Sequence, residues 1–156
     1  MSLVRRALPE DAGEVLRLRQ VMLDSVFAAG GSTDWHAESL PALRARLTEP
    51  DGGFVAFVVD HPRRPGALAA LAAGSLEYRI GRAGNPRGRV GHVFSVATDP
   101  DVRRRGYARG CMESLLDWFR ERDARQVDLN ASAEAEPLYA SLGFVRKPDP
   151  SMRLAL

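Results

Sequence analysis

Apolar residues along this chain recur at two different spacings, and the switches between them divide it into elements. Leu3 to Arg6 reads as a short first strand. Pro9, Glu10 and Asp11 then open a helix with acidic residues in its first turn. Val15, Leu16, Leu18, Val21, Met22 and Val26 supply its apolar stripe. Ala28 to Asp34 breaks that stripe, and a shorter helix is expected over 40–47, with Pro41 tolerated in its first turn. After the turn at 50–53, Phe54 to Val59 reads as a buried strand. His61 to Gly66 forms a hairpin loop, and 68–79 is the next strand, although its Ala-rich first half would suit a helix by propensity alone. The Gly- and Arg-containing stretch 79–89 is a loop, and a fourth strand runs over 90–97. A long helix follows over 105–122, with Ala108, Met112, Leu115 and Phe119 at three- to four-residue spacing. A strand over 127–130 and a short helix over 135–142 come next, with Gly143 where a left-handed residue is wanted. Phe144 to Lys147 and Met152 to Leu156 read as two last strands. The order is β-α-α-β-β-β-α-β-α-β-β.

Length and composition narrow the class of protein. A chain of 156 residues suits one domain, 1–156, with its own core. Lys and Arg number 22 against 20 Asp and Glu, a net charge of +2, and no basic stripe interleaved with aromatics is present. A nucleic-acid partner is therefore not expected. The longest apolar run, Ala67 to Ala73, falls far short of the ~20 residues that span a bilayer, so no membrane role is expected. The first ten residues hold no apolar core of signal-peptide kind. Cys111 stands alone, which excludes an internal disulfide and suits a reducing cytosol, so the expected location is cytoplasmic. No His, Cys or Asp cluster has metal-ligand spacing, so no metal is expected.

The strongest chemical signal lies between Val96 and Phe119. A strand, an Arg- and Gly-rich turn and a helix N-terminus together make an anion site. The first N–H groups of a helix lack internal partners, and its dipole adds partial positive charge there. Gly106 has no Cβ, so a phosphate can approach the backbone. Arg103, Arg104, Arg105 and Arg109 add fixed charge. The implied ligand carries a pyrophosphate or several phosphates.

The order Arg103-x-x-Gly106-x-Ala108 resembles the pyrophosphate signature of the GNAT superfamily of acetyl-CoA-dependent N-acetyltransferases. Leu138-Tyr139-x-x-x-Gly143-Phe144 resembles that family's second signature, and the pair covers residues 90–145. The resemblance implies an α/β (α+β) GNAT fold: a mixed, mostly antiparallel sheet of six to seven strands flanked by about four helices. It implies acetyl-CoA as cofactor, held by backbone groups of Val96, Ala97 and Thr98 along the pantetheine arm. The pyrophosphate would rest on Arg103, Arg104, Arg105, Gly106, Tyr107, Ala108 and Arg109. It implies direct attack by a primary amine on the thioester, with the Val96 N–H as oxyanion donor. Tyr139 would protonate the leaving thiolate, or else only shape the tunnel. Ser132 would bond the pantetheine or cap the short helix, with Asn130 as the other candidate.

The general base is open between His92, Glu77 and a water chain. Eleven residues before Arg103, His92 occupies a position where relatives often carry a Glu base. A histidine reference pKa of ~6.5 suits proton acceptance near neutrality. It could equally be a structural histidine. Alternation would put His92, Phe94 and Val96 on one strand face. Cys111 is expected in the core. Asp34, Trp35 and His36 could belong to an acceptor lid or an ordinary loop, and Arg79, Arg82, Arg87 and Arg89 to an acidic-acceptor patch or a solvated loop. A homodimer is plausible by analogy. The acceptor amine is unreadable, and a non-catalytic acyl-CoA-binding sensor or a transferase using another short acyl-CoA are the alternative functions.

Overall fold

In a computed structural model of the chain, residues 3–27 and 31–156 are described. They form a five-stranded sheet in simple sequential order. The strands are β1 (Val4–Arg6), β2 (Phe54–Asp60), β3 (Leu68–Tyr78), β4 (Arg89–Thr98) and β5 (Val127–Leu129). Neighbours pair antiparallel except β4 and β5, which run parallel. Four helices cover the sheet: α1 (Ala12–Val26), α2 (Trp35–Thr48), α3 (Tyr107–Glu121) and α4 (Glu136–Ser141).

The Ala-rich half of β3 is a strand because it is buried on both faces. Leu68 to Ala73 are at most 2% exposed. Small side chains there let helices approach the sheet from either side, so tertiary packing overrides the helical propensity of alanine. One core cluster joins Val55, Ala72 and Val93 to Met112, Leu115 and Phe119 of α3. The other joins Ala56, Val58, Leu71 and Ala97 to Val15 and Leu18 of α1. Phe119 is fully buried over two glycines. A Cβ at Gly91 would lie 2.8 Å from its ring, and one at Gly74 would lie 3.0 Å from the ring and 2.8 Å from the His92 carbonyl oxygen. These two glycines therefore set how closely α3 packs on the β3–β4 junction.

Four expectations need correction. Phe144–Lys147 and Met152–Leu156 are not strands, so the sheet has five strands rather than six or seven. Neither segment pairs with a strand among the described residues. The second helix begins at Trp35, five residues earlier than Leu40, and Pro41 lies inside it rather than in its first turn. Asp34 therefore precedes a helix that Trp35 and His36 open, and the pair is not loop. The register of β3 against β4 slips between Ala73 and Gly74, so Phe94 faces no β3 residue. This bulge inverts the alternation. Val93 and Val96 both pack toward α3, and His92 does not share a face with Val96. The expected break over 28–34 falls partly outside the described residues.

Candidate active site

The ladder between β4 and β5 is short. It runs Gly91↔Val127, His92↔Asp128, Val93↔Leu129 and then stops, while β4 continues to Thr98 paired with β3 alone. One edge of residues 94–98 therefore has no strand neighbour. The Asp99 N–H donates to the Ala69 carbonyl across on β3 (2.7 Å). Backbone direction alternates along a strand, so the Ala97 amide also points to β3, and those of Val96 and Thr98 point to the open edge. An extended chain laid there would find donors and acceptors at strand spacing.

This edge leads straight to the N-terminus of α3. Gly106 is its N-cap residue with φ 79° and ψ 10°, and no side chain caps the first turn. No acidic residue stands in that turn. Arg104 is also left-handed, with φ 64°. The exposed Arg103, Arg104 and Arg105 make no hydrogen bond or ion pair among the described residues. Arg109 is committed elsewhere: its guanidinium bonds Glu113 (3.1 Å) and the Ser141 hydroxyl (2.7 Å), which ties α3 to α4. The open N–H groups and three free cations make this a strong anion site.

A buried carboxylate fixes the approach to the loop. Asp99, 2% exposed, accepts the Asp101 N–H (3.0 Å) and pairs with Arg17 (2.9 Å) and Arg64. Burial alone would raise its pKa, but the Asp101 N–H, Arg17 and Arg64 outweigh that and hold it below the usual carboxylate range. His61, Asp99 and Asp101 lie close enough to suggest a metal site, but the donor set does not fit one. His61 Nδ1 already accepts the Arg63 and Arg64 N–H groups (3.1 and 3.2 Å), which leaves the proton on Nε2. Asp99 is already neutralised by two guanidinium groups.

Tyr139 and His92 line a groove of about 970 Å³ that follows β5 and includes Asp128, Asn130, Leu142 and Phe144. Val96, Ala97, Thr98 and residues 103–109 lie outside it, along the open edge and loop. Tyr139 is 7% exposed and packs against Phe144, with ring centroids 6.0 Å apart. Burial pushes its phenol pKa up, so it remains protonated at neutral pH. The His92 ring stacks on Phe94 at 6.4 Å. Its neighbour across the ladder is Asp128, whose carboxylate accepts the Gln126 amide (3.1 Å). Spacing within the sequence could not have found Asp128, because its place beside His92 depends on the β4–β5 register.

Most of the remaining candidates have partners within the fold. Glu77 pairs with Arg79 (2.9 Å) in solvent. The Ser132 hydroxyl accepts the Ala135 N–H (3.3 Å) in the turn before α4, whose own N-cap, Ala135, has no side-chain partner. Trp35 and His36 both reach the Gln20 side-chain oxygen at 3.1 Å, which binds the start of α2 to α1. Arg82 bonds Gln126 (2.7 Å), and Arg89 bonds the Arg122 carbonyl (2.9 Å). Cys111 is fully buried, with its pKa pushed up to about 12 by burial, so it is inert as a nucleophile. No helix among the described residues is long and apolar enough to cross a membrane.

Residues 19–144 match the acetyltransferase (GNAT) family. Over 112 residues the chain is 34% identical to glucosamine 6-phosphate N-acetyltransferase 1 of rice (Oryza sativa subsp. japonica), an alignment covering 68% of this chain and 64% of that protein. The chain thus spans a little under two thirds of that relative. Over 55 residues it is 38% identical to the ribosomal protein bS18 alanine N-acetyltransferase of Escherichia coli K12, covering 33% and 37% of the two chains. Its fold superposes with a TM-score of 0.80 on a protein described as a predicted acetyltransferase with acetyl-CoA, from Clostridium acetobutylicum, at 22% identity, covering 97% of this chain and 94% of that one.

Proposed function

The chain belongs to the acetyltransferase (GNAT) family, and from that premise we propose that it is a single-domain N-acetyltransferase moving the acetyl group of acetyl-CoA to a primary amine. The observation that carries this reading is the parting of β4 from β5 after Val93↔Leu129, directly beside the uncapped start of α3. The open edge fits an extended, amide-bearing arm, and the helix start with Arg103, Arg104 and Arg105 fits a pyrophosphate. Both relatives named above act, by their names, on amines, one on an amino sugar phosphate and one on a protein alanine.

In this mechanism Val96 and Thr98 hold the pantetheine arm by their backbone groups. The Val96 N–H stabilises the oxyanion as the amine nitrogen bonds to the thioester carbon. His92 takes the proton that the attacking nitrogen loses, with Asp128 beside it on β5. The C–S bond then breaks, and the Tyr139 hydroxyl gives its proton to the departing thiolate. No acyl-enzyme forms.

The test is thiol release from acetyl-CoA with a panel of amines that includes glucosamine 6-phosphate and an alanine-initiated peptide, run beside a CoA thermal-shift titration. Stabilisation together with amine-dependent thiol release supports the proposal. Stabilisation without turnover points to a binding module, and no stabilisation by CoA defeats the cofactor assignment.

A further inference from the structure

The sheet face toward α1 is covered at one end and uncovered at the other. Ala56, Val58, Leu71, Ala73 and Ala97 pack there with Val15 and Leu18 of α1. Beyond them the register sets Phe54, Ser75, His92 and Asp128 in one row across β2 to β5. Their strand neighbours Val55, Gly74 and Val93 are turned to α3, so Phe54, Ser75 and His92 point toward the α1 side. The bulged Phe94 joins them. Its ring lies 5.6 Å from that of Phe54 and 6.4 Å from that of His92, and the residue is 39% exposed. Neither phenyl ring belongs to a core cluster. An apolar surface therefore stands beside the proposed base, able to take the body of a substrate.

Arg19 of α1 stands where the covered and uncovered parts meet. It is partly buried and donates to Ser95 Oγ (2.6 Å). Among the described residues Ser95 is its only hydrogen-bond partner, and no carboxylate pairs with it. Arg17 on the same helix is different, being neutralised by Glu14 (2.7 Å) and Asp99 (2.9 Å). A partly desolvated cation without a counterion is costly to keep. The guanidinium fork matches a carboxylate, and Ser95 occupies only one of its donors. Ser95 directly precedes Val96, whose N–H is the proposed oxyanion donor, and successive Cα atoms are ~3.8 Å apart. An anion held by Arg19 is thus within a small molecule's length of an amine attacking beside Val96.

We propose that the acceptor is a small apolar α-amino acid. Its amine meets His92, its carboxylate is held by Arg19, and its side chain rests on Phe54 and Phe94. The acceptor class so named rests on the transferase reading above. The N–C bond forms as the C–S bond breaks, the nitrogen's proton passes to His92, and Tyr139 protonates the thiolate. The products are an N-acetyl amino acid and CoA.

Thiol release from acetyl-CoA is compared for four acceptors: phenylalanine; phenethylamine, which lacks the carboxylate; alanine, which lacks the apolar body; and glucosamine 6-phosphate. Phenylalanine should exceed phenethylamine in kcat/KM by roughly tenfold to hundredfold, and it should also exceed alanine. In Arg19→Gln the ratio of phenylalanine to phenethylamine should fall to about one, and Arg19→Lys should recover part of it. If Arg19 only ties α1 to β4, the variant slows both amines alike and the ratio stands, which would overturn the proposal. A preference for phenethylamine or glucosamine 6-phosphate, or equal turnover of alanine, would overturn it too, with the transferase reading intact. That reading fails differently, by the absence of thiol release with every amine. Calorimetric titration then decides the site by itself: phenylalanine binding that Arg19→Gln abolishes supports it, and no binding overturns it.

Discussion

Replacing Gly106 with Ala separates a cost to the fold from a cost to the ligand. Gly106 sits at φ 79°, and an added Cβ there would meet no heavy atom within 4 Å. The free protein therefore suffers only backbone strain, about 1–2 kcal/mol for an L-residue held left-handed. At this chain length that lowers Tm by roughly 2–8 °C, taking about 2–4 °C per kcal/mol. The same methyl stands where the phosphates are proposed to approach the α3 backbone. Losing one charge-assisted N–H contact costs about 1.5–3 kcal/mol, roughly a tenfold to hundredfold rise in Kd. Calorimetric titration with CoA and with pantetheine, which lacks the phosphates, reads the two effects apart. CoA affinity should fall steeply, and pantetheine affinity should change little. Unchanged CoA affinity, or an equal loss for pantetheine, would refute phosphate binding at this turn.

Asp99→Ala removes the cap of the turn after β4 and the partner of Arg17 and Arg64. Both guanidinium groups are partly exposed and can turn to water, so the cost is about 2 kcal/mol and a Tm lower by roughly 4–8 °C. Because the folded carboxyl titrates below its ordinary value, its contribution is full above pH ~4 and is lost on further acidification. Melts of wild type and variant should therefore converge in acid, and a gap constant with pH would show that the charge is not responsible. Tyr139→Phe should lower kcat by roughly tenfold to a thousandfold, within the range of a lost proton donor, with little change in KM for acetyl-CoA. An unchanged kcat removes Tyr139 from the acid role. His92→Gln should lower kcat by roughly a hundredfold or more while CoA still stabilises the protein; an unchanged kcat excludes His92 as base.

How far the sequence carried is clearest at β4. Hydrophobic run, turn and amphipathic helix placed β4 and α3 within two residues of their observed bounds, because local periodicity sets those elements. The Phe94 bulge left no mark in the pattern. It arises from the register against β3, where Gly74 faces Val93 and Ala73 faces Ser95. Strict alternation therefore misassigned the faces of His92 and Val96. The same limit hid Asp128, a lone acidic residue in sequence that becomes a neighbour of His92 only when β5 joins the sheet. The start of α2 was missed because Trp35 and His36 are secured by Gln20 of α1 rather than by a local cap.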